Sequence, residues 1–189
     1  MRALSADLWR DLLERYRRIH LYTVDPGAEA MASELVPLIR ELGRLGLWFA
    51  EGWSASHGAA KLPAAELLRA LSPGDGLIIG SQTDFNRTRA MIRQAAAAGA
   101  ATIFVFDHWK NYATHFETDH LPDHIVAPDE ISRRMLVSAL GEIATDRVHV
   151  FPHVAIEAAA DRILKSGGTP QPGTFVVLLD PTERDDGLG

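Results

Sequence analysis

Two clusters of polar side chains in this chain have the makings of a reactive site. The denser is Asp107-His108-Trp109-Lys110-Asn111-Tyr112. Asp107 can serve as a general base or fix the tautomer of His108, and a histidine titrating near neutrality can take a proton from a hydroxyl nucleophile. Trp109 and Tyr112 offer flat apolar faces of the kind that receive the C–H side of a sugar ring, and Asn111 offers a hydrogen-bonding amide. The second cluster is Gly80-Ser81-Gln82-Thr83-Asp84. Gly80 admits close approach of a ligand to the backbone, while Ser81, Gln82 and Thr83 supply neutral donors and acceptors suited to sugar hydroxyls. For each cluster the alternative stays open: the aromatics pack under a loop, or the polar groups cap their own helix.

Both clusters follow short apolar runs. Leu77-Ile78-Ile79 leads into the cluster at Gly80, and Thr102-Ile103-Phe104-Val105-Phe106 into the one at Asp107. Unbroken runs of this length suit strands buried on both faces of a parallel sheet. In open α/β sheets ligands bind where the carboxyl ends of such strands pass into loops. A third candidate loop, Asp25-Pro26-Gly27-Ala28, stands between a strand and a helix, where Gly27 is either a tight turn or a point of ligand approach.

The surrounding elements follow from periodicity. Ser5 caps a helix running to about Arg18, and Ile19 to Val24 reads as a strand. The next helix carries Leu35, Leu38, Ile39, Leu42 and Leu45 at helical spacing, with Pro37 inside it, and Leu47 to Ala50 is a second strand. Glu51 to Lys61 is a loop of small residues, and Pro63 opens a helix through Leu71. After the strand at 77–80, Thr83 or Asp84 caps a helix through Ala98 that Gly99 ends. The strand at 102–106, the polar segment 107–123 and a short edge-like strand from His124 to Ala127 follow. A helix from Pro128-Asp129-Glu130 to about Ile143, a strand from Arg147 to Phe151 and a helix from Val154 to Lys165 complete the series. Strands alternating with helices at this pitch predict an α/β fold: a doubly wound, mostly parallel, Rossmann-like sheet with helices on both faces.

Three regions are expected: an N-terminal helix over 1–18, the Rossmann-like domain over 19–165, and a linker plus strand over 166–189. In the last, Ser166 to Gly173 reads as a linker and Phe175 to Asp180 as a strand that either joins this sheet or begins a second domain.

Composition excludes several classes. With 47% apolar residues the chain can build a core, and 25 acidic against 19 basic side chains leave a net charge of −6. No stripe of Lys and Arg points to nucleic acid, and the cluster Arg15-Tyr16-Arg17-Arg18 reads as a solvated helix end. Without cysteine, disulfides and thiol catalysis are out. No apolar run approaches the ~20 residues of a membrane span, and the N-terminus is no signal peptide, so a cytoplasmic protein is expected. No Gly-x-Ser-x-Gly elbow or P-loop occurs. His115, Asp119, His120, Asp123 and His124 match no compact zinc pattern, so neither metal nor cofactor is expected. His153, at the end of the strand containing His149, is a further candidate for the cleft.

The segments "DPGAEAMASELVPLIRELGRLG", "GLIIGSQTDFNRTRAMIRQAAAAGAATIFVFDHWKNYATHF" and "LPDHIVAPDEISRRMLVSALG" with "RVHVFPH" resemble the N-terminal half of GT-B-fold glycosyltransferases and the related UDP-N-acetylglucosamine 2-epimerases. The run "D-x-W-x-N-Y-x-x-x-F" followed by "L-P-D-x-I-x-x-x-D" looks like proteins of bacterial surface-polysaccharide synthesis. The resemblance covers roughly residues 18 to 165, and its middle segment is the most specific part. It implies an acceptor-side domain, with Gly27 in the acceptor-side loop, Ser81 and Gln82 lining the cleft, and Asp107 and His108 as base candidates. It also implies that the nucleotide-sugar sits in a second Rossmann domain or partner subunit, the tail strand resembling the start of that half. A homo- or hetero-oligomer fits such a split enzyme. Two other readings remain: a non-catalytic binding or assembly module, and a small epimerase or isomerase using Asp107 and His108 as an acid–base pair.

Overall fold

A computed structural model describes residues 3–50, 63–107, 112–117 and 119–166. Six strands run parallel: β1 Ile19–Thr23, β2 Leu45–Ala50, β3 Gly76–Gly80, β4 Ala101–Val105, β5 His124–Ala127 and β6 Val148–Val150. Their order in the sheet is β2-β1-β3-β4-β5-β6. The helices are α1 Ala3–Leu13, α2 Pro26–Glu41, α3 Ala64–Ala70, α4 Phe85–Ala97, α5 Glu130–Leu140 and α6 Val154–Lys165. This is the doubly wound α/β architecture that the alternating pattern predicts.

Alternation along each strand divides the core. Ile19, Leu21, Ile78, Ile103, Val105 and Val126 pack with Trp9 of α1, Leu35 and Ile39 of α2, and Val154 of α6. Tyr22, Leu77, Ile79, Phe104 and Ile125 face the other way, onto Leu67 of α3, Met91 of α4 and Leu136 of α5. Both faces of the sheet are covered, which is why its strands read as continuous apolar runs. The connections after β1 and β3 leave to opposite faces, α2 on one and α4 on the other. Neighbouring strands whose helices depart in opposite directions open a crevice at their carboxyl ends.

Several boundaries differ from the sequence expectation. The first helix stops at Leu13 instead of Arg18. Arg17 and Arg18 are drawn away from it: the Arg17 amide donates to Gly74 O at 2.7 Å, and the Arg18 guanidinium meets the buried Asp75 carboxylate at 2.8 Å. His124–Ala127 is not an edge strand, since it pairs with β4 on one side and β6 on the other. Its four-residue length suggested an edge, yet the still shorter β6 covers it. The helix after Pro128 ends at Leu140, where Gly141 takes a φ of +81° and a 3-10 turn spans Glu142–Ala144. The 51–61 loop and the Phe175–Asp180 strand expected from the sequence lie outside the described residues.

At the amino-terminal edge of the sheet, β1 and β2 slip register between Ile19 and Leu21. The extra residue in β2 would leave the Leu47 amide unpaired in the ladder, and His20 Nδ1 accepts its proton at 3.1 Å. Gly46 makes room: a side-chain carbon there would stand 2.8 Å from the His20 ring. With Nδ1 accepting, the ring proton lies on Nε2, which is 3.5 Å from Asp75 Oδ2.

Candidate functional site

The polar groups at the carboxyl ends of β1, β3 and β4 are bound to one another. The β3–β4 ladder runs one residue past the strand, the Ser81 amide donating to Val105 O at 3.0 Å. That register sets Ser81 beside Asp107. The Ser81 hydroxyl donates to Asp107 Oδ1, and the Asp107 amide donates back to Ser81 Oγ at 3.3 Å. From β1, Asp25 occupies the N-cap position of α2 without capping it through its side chain. Its Oδ2 accepts instead from the Thr83 amide at 3.0 Å, joining the loops after β1 and β3.

Two glycines make this convergence possible. A side-chain carbon on Gly27 would overlap the Asp107 carboxylate, so the first turn of α2 packs directly against that group. A side-chain carbon on Gly80 would overlap the Ala28 methyl. The close approach at Gly80 is therefore to helix α2, not to a ligand as its sequence context suggested.

Gln82 and Tyr112 are buried, while Thr83 and His153 lie nearer the surface. Gln82 is 2% exposed and donates through Nε2 to Thr88 Oγ1 at 2.9 Å, securing the first turn of α4. Tyr112 is 4% exposed, stands edge-on to Phe106 at 4.9 Å, and donates to Ser132 Oγ at 2.8 Å. Burial pushes its hydroxyl above the usual range, with Asp129 adding to the shift and the Ser132 hydrogen bond opposing it. Tyr112, expected as a platform, packs in the core with Phe106 and Phe104. Thr83 is exposed beside Asp25. His153 caps α6, its Nδ1 accepting from the Ile156 amide at 3.4 Å. It opens α6, which packs on α2 and pairs Arg162 with Glu34 of that helix at 2.7 Å. His108, Trp109 and Asn111 lie outside the described residues.

The loop histidines divide by environment. His115 is fully buried, packed edge-on to Phe85 and Phe106 and tilted against Phe104. His124 Nδ1 and His149 Nε2 share one hydrogen bond of 2.8 Å. Ligand atoms of Glu117, Asp119 and His120 gather within 4.8 Å, but Glu117 is already ion-paired with Arg93.

One neighbour of the crevice escaped the sequence reading. The Arg87 guanidinium in the first turn of α4 lies over the stacked rings of Tyr22 and Phe49, 5.7 and 5.8 Å from their centroids. Its position three residues after the α4 cap Asp84 was the available signal.

The fold and this cluster define a Rossmann-like α/β domain with a polar switch-point crevice. No protein-family model matches the chain, and no curated protein matches it significantly. Among the described residues no helix is long and apolar enough to cross a membrane.

Proposed function

We propose that this chain is the acceptor-side domain of a glycosyltransferase-like enzyme of polysaccharide or glycoconjugate synthesis. The observation that carries the reading is the Ser81–Asp107 pair standing against Gly27 at the switch point of the sheet. A carboxylate oriented by a fixed hydroxyl is suited to accept the proton of an incoming sugar hydroxyl. As that oxygen attacks the anomeric carbon, the bond to the nucleoside diphosphate breaks and the diphosphate leaves. The nucleotide-sugar belongs to a second Rossmann-type domain or partner subunit, and His108 is the second base candidate. Thr83, exposed beside Asp25, supplies a further hydroxyl for the acceptor. The resemblance in "DHWKNYATHF" and the location of the crevice both support this reading.

Calorimetric titration with a panel of mono- and oligosaccharides tests it. Binding that weakens in Ser81→Ala and Asp25→Ala is expected, and no heat from any member of the panel refutes it.

A second reading, a non-catalytic assembly module, draws on the exposed Ile156, Ile163 and Leu164 of α6. Light scattering separates the two: a monomer at all concentrations, with sugar binding intact, eliminates the module.

A further inference from the structure

We propose that Asp107 acts as a built-in anion at the amino end of α2 and so restricts the crevice to uncharged or amino-bearing sugars, excluding phosphorylated ones. The inference rests on the acceptor-side reading and narrows its substrate class.

Helix α2 is 16 residues long, and it begins directly after the carboxyl end of β1. Pro26 opens the helix without a backbone N–H and the Glu29 amide donates to Asp25 O at 3.0 Å, which leaves Gly27 and Ala28 as the first-turn donors without a partner in the helical ladder, and the aligned peptide dipoles favour negative charge beside them. In many α/β proteins that place is taken by a phosphate of the ligand. Here a carboxylate of the protein stands against the flank of that first turn. The Asp107 carboxylate lies where a side-chain carbon of Gly27 would be, and the Ser81 hydroxyl fixes its other oxygen. The seat is made by three separate strand ends, so it is a product of the fold and not of one loop.

Two further carboxylates belong to the start of the same helix. Asp25 reaches across to the Thr83 amide at 3.0 Å, using a donor that an incoming phosphate would need. Glu29, 6% exposed, lies in the first turn of α2 itself. A phosphate entering here meets like charge at short range in a partly dry site, where repulsion is stronger than in water. A sugar hydroxyl or ammonium group instead donates hydrogen bonds to the same carboxylate oxygens. The phosphate-bearing substrate must therefore bind elsewhere, on the second domain or subunit.

Amide NMR of the full chain tests this with inorganic phosphate, a uridine diphosphate, a neutral N-acetylhexosamine and a hexosamine. In the wild-type chain the two sugars shift amides at 25–29 and 81–84, and the two phosphates do not. Asp107→Asn, which keeps the shape and removes the charge, gains phosphate affinity at the α2 first turn by roughly tenfold or more. Asp107→Ala serves as a second replacement should the Asn variant unfold. Phosphate shifting those amides as strongly in the wild type as in the variants overturns the proposal. A phosphate gain in the variants, with no sugar shifting the wild-type chain, upholds the built-in anion and refutes the acceptor reading.

Discussion

The Ser81 hydroxyl donates to the Asp107 carboxylate, and the Asp107 amide returns a hydrogen bond to the Ser81 oxygen at 3.3 Å. This reciprocal pair ties the end of β3 to the end of β4 at the point where the loops after β1 and β3 also meet. Ser81 is 1% exposed, so its hydroxyl is committed to Asp107 and acts on a ligand only through it.

Ser81→Ala removes a donor to a half-buried carboxylate. The cost expected is about 1–3 kcal/mol, the range for leaving a polar group without its partner. Urea unfolding measures it, and a midpoint equal to wild type would show that the pair contributes nothing to the fold.

Gly27→Ala forces the new methyl against the Asp107 carboxylate. Overpacking of this kind costs about 1–3 kcal/mol. The double variant Gly27→Ala with Asp107→Ala should recover part of that loss, because the two residues share one space. Strictly additive unfolding free energies would contradict the contact.

Acid should weaken the fold before its carboxylates are titrated. Burial holds His20 and His149 below the ordinary imidazole range. Burial, together with the neighbouring His149, lowers His124 from 6.5 to about 4. A histidine whose folded pKa lies below its unfolded value is protonated first in the unfolded chain. Stability is therefore complete above pH 6.5 and falls as the pH drops toward 4. Burial alone would raise Asp75, but hydrogen bonds from Arg18, Ser72 and Arg17 outweigh it, so Asp75 stays charged across this window. The hydrogen-bonded pair His124 and His149 contributes to that loss as one unit. Denaturation midpoints at pH 7.5 and pH 5 check the sign, and equal midpoints would contradict it.

Asp75→Ala strips acceptors from the Ser72 amide and hydroxyl, Arg17 and Arg18. Because the two arginines reach solvent at 61% and 43% exposure, they rehydrate, and the cost expected is about 1–3 kcal/mol instead of that of a sealed ion pair. A thermal unfolding shift checks it.

The sequence makes the sheet legible because its strands are buried on both faces: Leu77 to Ile79 and Ile103 to Val105 have no polar interruption to disguise them. Helix α6 carries signals at both ends and matches the expected Val154 to Lys165. The junction of β3 and β4 loops was legible too, since polar residues directly after apolar strands share one edge. What each polar residue does there was not. Gln82 and Tyr112 have the chemistry of ligand contacts, yet their partners, Thr88 and Ser132, lie on helices that only the folded chain brings near. The bulge at His20 is equally silent, because nothing in "IHLYT" announces that a histidine nitrogen replaces a ladder acceptor.

Photo-crosslinking bears most directly on the claim that the ends of β1, β3 and β4 form a sugar-binding crevice. A diazirine-bearing acceptor sugar, with unlabelled sugar as competitor, should label peptides containing residues 25–29, 81–84 and 107. Labelling confined to α5 or α6, or unaffected by the competitor, would contradict it.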